Sequence, residues 1–311
     1  MELRQLRAVL AIADTGSVTK AAEQLHVVQP AISRQLRIIE GELGTALFVR
    51  ASNGMALTEE GRAFVNHARK ALSELDQAVT DIRPAKGVVS GLVSVGMLPS
   101  VSDHIAGMLL AEVQRLYPLV RLRLSCGYAG ELQEWVQDGT VDLAVLYDAK
   151  ANAAIEAMPL LDEPLYLVCS NTLPLPKGER VPLDALRNLP LILPSGRHSV
   201  RGILEDACAV AGIALDVIAE ADATQLTKAL LLSGAGYTVL AGIAIADSKL
   251  KGQVSSVPLG IPPLRRRVTL CSGVVRRELE PVRRVREVVQ TIVHRLTLCG
   301  EWPGAVLLAA G

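Results

Sequence analysis

The stretch AAEQLHVVQPAISRQLRIIEGELG, residues 21–44, carries two helical patterns with only a few residues between them, and the second opens on a proline. On a helical wheel Ile32, Leu36, Ile39 and Leu43 fall within about 60° of one another, which predicts a buried stripe. Pro30, Ser33, Arg34 and Arg37 fall within about 100° on the opposite side, with Gln29 at the helix start. A solvated face is the ordinary fate of such a side. What sets this one apart is its setting: a short preceding helix containing Ala21 and Ala22, a tight HVV turn, and side chains able to read bases. That combination predicts a helix-turn-helix, whose second helix enters the major groove with its N-terminal residues against base edges. Gln29, Arg34 and Arg37 offer paired donors or acceptors to adenine and guanine, while Ser33 and Lys20 suit phosphate. Pro30 fixes the helix start without losing a needed backbone donor.

Working outward, helical periodicity runs from Leu3 to Ala13, from Val18 to Leu25 behind an N-capping Ser17, and from Pro30 to Leu43, closed by Gly44. LFVRASNGMALT (47–58) has β-like ends around Ser52, Asn53 and Gly54, the chemistry of a hairpin wing. From Thr58 to Pro84 the pattern is one helix in which Gly61, Val65, Ala68, Leu72, Leu75, Val79 and Ile82 recur at spacings of four and three. This heptad seam predicts a partner helix from a second copy of the chain; the alternative is a helix packed on its own small domain.

PAKGVVSG (84–91) reads as a linker, and beyond it the texture changes. The short apolar runs LVSVGM, VRLRLS, VDLAVLY, LYLVCS, LILP and YTVLA alternate with helical stretches, which predicts parallel sheets in an α/β unit of one or two lobes. The run 229–246 approaches membrane-spanning length but holds Ser233, Gly234, Gly236 and Gly242, so it reads as a helix end, a buried strand and a second helix. In open α/β sheets ligands sit beyond the carboxyl ends of strands and at helix N-termini. Three such places follow strands here: Ser100 and Ser102; Gly127 and Tyr128; and Ser195, Arg197, His198 and Ser199. Arg197 and His198 together favour an anionic ligand such as a carboxylate.

With 311 residues, two domains are expected, and 32 basic against 32 acidic side chains exclude a polycation that meets nucleic acid or membrane over its whole surface. Cys126, Cys169, Cys208, Cys271 and Cys299 lie far apart with no CxxC pair, and are read as buried free thiols of a reducing compartment. The N-terminus lacks the apolar core of a secretory signal, which points to a cytoplasmic protein and away from an exported solute-binding protein. No GxSxG elbow, P-loop, complete GxGxxG or metal-spaced histidine cluster is present, so an enzyme, a cofactor and a metal site are not expected.

Residues 1–61 resemble the winged helix-turn-helix of the LysR-type transcriptional regulators. They match AAxxLHxxQPAxSxQ at Ala21, Ala22, Leu25, His26, Gln29, Pro30, Ala31, Ser33 and Gln35, then ExxLG around Glu42, LFxR at Leu47, Phe48 and Arg50, and LTxxG at Leu57, Thr58 and Gly61. The resemblance is dense there and looser after residue 90. It implies a multidomain chain: an N-terminal all-α winged helix-turn-helix (1–58), a long linker and dimerisation helix (59–86), and an α/β effector domain of two lobes similar to periplasmic binding proteins (87–311). Lobe I would comprise 87–162 and 266–311, and lobe II 163–265, with Pro262 and Pro263 at the return crossover. DNA contacts are then expected from Lys20, Gln29, Pro30, Ser33, Arg34, Arg37, Arg50, Ser52 and Asn53, and pairing of subunits from Val65, Ala68, Leu72, Leu75, Val79 and Ile82. A small-molecule effector is expected between walls formed by Ser100, Val101, Ser102, Gly127, Tyr128 and Tyr147 on one side and Pro194, Arg197, His198 and Thr224 on the other. The implied partners are double-stranded DNA carrying an interrupted palindrome, further copies of the chain (a dimer, then a tetramer as a dimer of dimers) and RNA polymerase, with no membrane.

The sequence departs from the family pattern at several points. Val28 stands where a small or hydroxyl cap is common, Asn53 where a wing arginine is common, and Ala241 where a proline usually follows the strand. Residues 1–58 hold Arg4, Arg7, Lys20, Arg34, Arg37 and Arg50 against Glu2, Asp14, Glu23, Glu40 and Glu42, a net charge of +1. Attraction to phosphate is therefore modest per subunit, and several subunits on one DNA are needed for useful affinity. The apolar tail CGEWPGAVLLAAG has no functional reading from sequence.

Overall fold

The computed structural model describes residues 1–51, 54–82, 88–196, 198–246, 250–274 and 276–308, with only the backbone described at 70, 73, 74 and 76–82. The chain forms two compact units, one of Met1–Val88 with Asp138–Thr140 and one of Val89–Gln137 with Val141–Gly311.

In the first unit α1 (Leu3–Thr15), α2 (Val18–Gln24) and α3 (Gln29–Leu43) precede the hairpin of β1 (Phe48–Ala51) and β2 (Gly54–Leu57), and α4 (Glu59–Ile82) follows. Local chemistry sets each boundary. α1 ends at Gly16, whose φ of 64° suits glycine, and Ser17 Oγ accepts the amide of Lys20 at 3.4 Å to cap α2. α3 starts without a side-chain cap at Val28, as the valine there implied, and Pro30 occupies its first turn. Ala21 and Ala22 are buried with Ile12, Ile32, Leu36 and Ile39, because only small residues let three helices converge so closely. Thr58 caps α4, accepting the amide of Gly61 at 2.9 Å while donating to the carbonyl of Ala46 at 2.9 Å. A Cβ on Gly61 would sit 2.0 Å from the carbonyl oxygen of Leu47, so the helix can press on the wing only with glycine there.

Two expectations for this unit are corrected. Leu43 is 39 % exposed, so the buried stripe of α3 ends at Ile39, where the hydrophobic core stops. Val65 and Ala68 are buried in the unit's own core, and Leu72 packs partly against it. The first half of the seam therefore serves the domain that carries it. Leu75 is exposed, while the side chains of Val79 and Ile82 lie outside the described residues.

The second unit contains β3 (Ser90–Met97), α5 (Pro99–Leu116), β4 (Leu119–Cys126), α6 (Ala129–Gln137), β5 (Leu143–Tyr147), β6 (Ile155–Ser170), β7 (Pro190–Leu193), α7 (Ser199–Ala211), β8 (Asp216–Glu220), α8 (Thr224–Leu232), β9 (Tyr237–Ala241), α9 (Gly242–Ile245), β10 (Val254–Pro258), β11 (Arg265–Gly273), α10 (Glu280–Leu298) and β12 (Val306–Leu307). Strand order is β4-β3-β5-β11-β6-β9-β7-β8, with β10 and β12 also on β6. The expectation of parallel sheets is corrected to mixed ones: β4-β3-β5 and β8-β7-β9 pair in parallel, while β6 and β11 run antiparallel to their neighbours. β6 spans 16 residues and serves both sheets, pairing with β11 through Pro164 and with β9 from Leu165. One core gathers residues between Val93 and Leu161 and between Val268 and Trp302, and a second gathers residues between Leu165 and Leu259. Two lobes meet where β6 and β11 cross from one to the other.

The apolar tail has a structural job at that crossing. Trp302 is 1 % exposed, and its indole Nε1–H donates to Glu163 Oε2 at 2.7 Å. Val306 and Leu307 then pair with Asp162 and Leu161 as an added strand. The run 229–246 resolves into the end of α8, β9 and α9, and among the described residues no helix is long and apolar enough to cross a membrane. The reading of all five cysteines as buried is also corrected. Cys169, Cys208 and Cys271 are buried, but Cys126, at the end of an edge strand, and Cys299, just past α10, are exposed.

Candidate nucleic-acid interface and ligand cleft

α3 is held by Ile32, Leu36 and Ile39 on one side, which fixes what the other side shows. Gln29, Pro30, Arg34 and Arg37 are exposed and Ser33 is half-buried, so five of the expected DNA contacts share one open face. Gln29 Nε2 donates to Ser33 Oγ at 2.8 Å, and Arg37 Nε donates to the Ser33 carbonyl at 3.4 Å, which arrays three of these groups along the helix. Lys20 and Arg50 are exposed on α2 and β1, while Ser52 and Asn53 lie outside the described residues. None of Lys20, Arg34, Arg37 and Arg50 forms an ion pair among the described residues. Glu40 instead turns inward, accepting the amide of Leu47 at 2.8 Å, and so ties the wing to α3. Unpaired cations beside amide and hydroxyl groups on a rigid helix suit contact with phosphates and base edges.

Within the second unit a cavity of about 50 Å³ lies between the lobes, lined by Ser100 from the first, by Pro194, His198, Thr224, Thr238 and others from the second, and by Arg266 where β11 crosses between them. Four expected effector contacts are therefore brought together: Ser100, Pro194, His198 and Thr224. Tyr147 stands one bond behind, its hydroxyl 2.9 Å from Ser100 Oγ. Tyr128 reaches across the lobes, donating to the carbonyl of Asp222 at 2.9 Å and meeting the His198 ring edge-on at 6.3 Å between centroids. A second contact between lobes runs from Lys228 Nζ to Asp103 Oδ2 at 3.4 Å.

Three expected contacts do not reach the cavity. Val101 is fully buried in the core of the first lobe, because its position on α5 faces the sheet. Gly127 gives its amide to the carbonyl of Met97 at 3.2 Å and lies so close under Trp135 that a Cβ would sit 2.9 Å from the ring. Ser102 Oγ donates to the carbonyl of Pro99 at 2.9 Å within its own helical turn. Arg197 lies outside the described residues.

Sequence reasoning missed Arg266, whose position it uses only as a lobe boundary. The guanidinium is 3 % exposed, donates from Nε to Glu163 Oε1 at 2.7 Å and from Nη2 to the Tyr147 hydroxyl, and lies over the Tyr147 ring at 3.3 Å from the centroid. Glu163, fully buried, also accepts the amide of Ile243 at 3.1 Å, so a single carboxylate joins both lobes, the tail and the cavity wall. Burial, reinforced by the Arg266 charge, lowers the His198 pKa to about 4, outweighing the opposite pull of Asp222. The ring is neutral at pH 7, and because Nδ1 accepts the amide of Val200 at 3.3 Å, its proton sits on Nε2. Burial also raises the Tyr147 pKa, against the opposing influence of Arg266.

Comparison with known proteins decides the family. Residues 86–296 match the LysR substrate binding domain, and residues 3–62 match the bacterial regulatory helix-turn-helix protein, lysR family. The chain belongs to the LysR family. It is a DNA-binding transcriptional regulator with a substrate-binding domain, not an enzyme. Among its relatives, nitrogen assimilation regulatory protein nac of Klebsiella aerogenes is 34 % identical over 77 % of this chain and 78 % of its own length. The HTH-type transcriptional regulator BbuR of Bordetella bronchiseptica is 30 % identical over 96 % of this chain and 92 % of its own. The LysR fold extends along the chain. A full-length variant of OxyR from Pseudomonas aeruginosa superposes with a TM-score of 0.72 at 22 % identity, covering 98 % of both chains. CbnR in complex with its target DNA gives 0.69 at 24 % identity, covering 95 % of this chain and 99 % of that one.

Proposed function

We propose that this regulator acts as a homo-oligomer on an interrupted palindrome, with α3 in the major groove, and that a small-molecule effector in the interlobe cavity changes how it engages DNA. The observation that carries the reading is the open face of α3, where Gln29, Ser33, Arg34 and Arg37 stand together opposite the buried Ile32, Leu36 and Ile39. The DNA complex of CbnR, a protein of the same fold, supports it, as does the modest charge of a single head, which calls for several subunits per site. A dimer joined through the distal part of α4, where Leu75 is exposed, and a tetramer built as a dimer of dimers provide them. An effector acts by binding two arrangements of the lobes with unequal affinity, which shifts their populations. The site of action is cytoplasmic DNA.

Gel-shift titration tests the reading. Ser33→Ala and Arg34→Ala each weaken operator binding about tenfold or more, the scale of one base or phosphate contact multiplied over subunits, with light-scattering mass unchanged. Full retained affinity in both variants removes α3 from the interface. Leu75→Asp lowers the light-scattering mass if distal α4 pairs subunits.

A further inference from the structure

The cavity between the lobes has three properties that together narrow what it can hold. The first is size. At 50 Å³ it has room for about three to five water-sized groups, since about 10–15 Å³ of such space accommodates one. A ring of aromatic size exceeds that.

The second is an unmet hydroxyl. Thr238 is fully buried on β9 in the cavity wall, and its Oγ1 has no hydrogen-bond partner among the described residues. A buried hydroxyl left without a partner costs free energy, whereas a ligand that pairs with it recovers that cost. The third is the sign of the surrounding groups. Arg266 has bonds from Nε and Nη2 but none from Nη1 among the described residues, and its field reaches far enough to hold down the His198 pKa. The neutral His198 ring offers Nε2–H as a donor, and Ser100 and Thr224 add hydroxyls. The one carboxylate in the lining, Asp222, accepts the Ser195 amide at 2.8 Å through Oδ1. Donors outnumber acceptors, and a cation stands behind them.

We infer that the cavity selects a small oxyanion, a short carboxylate or inorganic oxyanion of about three to five heavy atoms, held by Arg266 and the hydroxyl of Thr238. This rests on the reading of the cavity as the effector site and gives that site a ligand class. Glu163 already accepts from Arg266 Nε, so the anion would meet the guanidinium through Nη1, beside the neutral His198 and the hydroxyls of the lining.

Isothermal titration on the full-length protein at constant ionic strength tests it, with formate, acetate, nitrate and sulfate against acetamide and benzoate. Formate, acetate or nitrate is expected to bind, and Thr238→Val to weaken that binding about ten- to hundredfold, the range for a lost hydrogen bond to a charged group, while Thr238→Ser restores it. The split between acetate and nitrate separates a metabolic acid from an inorganic ion. Should Thr238→Val not fold, Ala241→Val, which fills the cavity from the same strand, is expected to abolish binding instead. Binding of acetamide as tight as that of acetate overturns the anion class, and binding of benzoate that Thr238→Val destroys overturns the size class; either leaves the cavity as the effector site. If nothing in the series binds, or if Thr238→Val and Ala241→Val bind as the native chain does, both the ligand class and the site are wrong.

Discussion

Replacing Glu163 by Gln is the sharpest test of how the lobes are joined. The carboxylate is fully buried and accepts three hydrogen bonds, from Arg266 Nε at 2.7 Å, Trp302 Nε1 at 2.7 Å and the Ile243 amide at 3.1 Å. Glutamine keeps the shape but offers one acceptor oxygen, turns an NH₂ toward a donor, and leaves the Arg266 charge without its counter-ion at 3 % exposure. Breaking one side of a buried pair costs about 3–5 kcal/mol. Replacing both members by well-packed apolar residues is often close to neutral, so Glu163→Met with Arg266→Met is expected to cost far less than the two single changes added. Urea unfolding followed by tryptophan fluorescence suits the purpose, because the two tryptophans, Trp135 and Trp302, both belong to the second unit. A Glu163→Gln transition within about 1 kcal/mol of the native one, or strict additivity in the double variant, would refute the argument.

Other outcomes follow from the same structure. With a folded pKa of about 4 against 6.5 for the free side chain, His198 binds fewer protons folded than unfolded between those values, so stability falls as pH drops through that window. The full loss is about 3 kcal/mol below pH 4, and His198→Asn should flatten the dependence of the melting temperature of the second unit between pH 6.5 and 4. Burial raises the thiol pKa values of Cys169 and Cys208 and pushes that of Cys271 up to about 12. Brief treatment of native protein with iodoacetamide at pH 8 should accordingly label Cys126 and Cys299 alone, as read by peptide mass. Gly61→Ala places a methyl group 2.0 Å from the Leu47 carbonyl, and the expected cost to the first unit is about 1–3 kcal/mol, measured by circular dichroism of the full chain during thermal unfolding and by loss of operator affinity.

Much of the first unit was legible because its signals are local. Ser17, Pro30, Gly44 and Thr58 each act within one helical turn, and the face of α3 follows from spacing alone. What spacing does not say is what covers a stripe. The α4 seam was real as a pattern, yet Val65 and Ala68 are covered by their own domain, and Leu43 lies on the right side of α3 but past the end of the core. In the second unit the apolar runs marked six strands, but caught only the second half of β6 and did not mark β11. Asp162, Glu163, Arg265, Arg266 and Arg267 interrupt the apolar pattern where those strands leave one lobe for the other. Arg266 was overlooked in the cavity for the related reason that its companions, Glu163 and Tyr147, lie 103 and 119 residues away in sequence. Val101 stands between two serines of the expected wall, yet successive residues on a helix point about 100° apart, and its side chain goes to the core.

Asp162 and Arg267 are opposite one another in the register of β6 and β11, and Arg267 forks onto the Asp162 carboxylate at 2.9 and 3.1 Å. Chain ends so placed are only about 5 Å apart, the span of a two-residue turn. Everything from Glu163 to Arg266 is thus a nested cassette, inserted at one point in a host that already has its neighbouring strands in place. Surgical removal of the cassette behind an Asn-Gly turn would strip the host core of Ile243, orphan the indole of Trp302 and leave the ring and hydroxyl of Tyr147 without Arg266. A shortened protein of this kind would need each of these gaps repaired before it could stand alone.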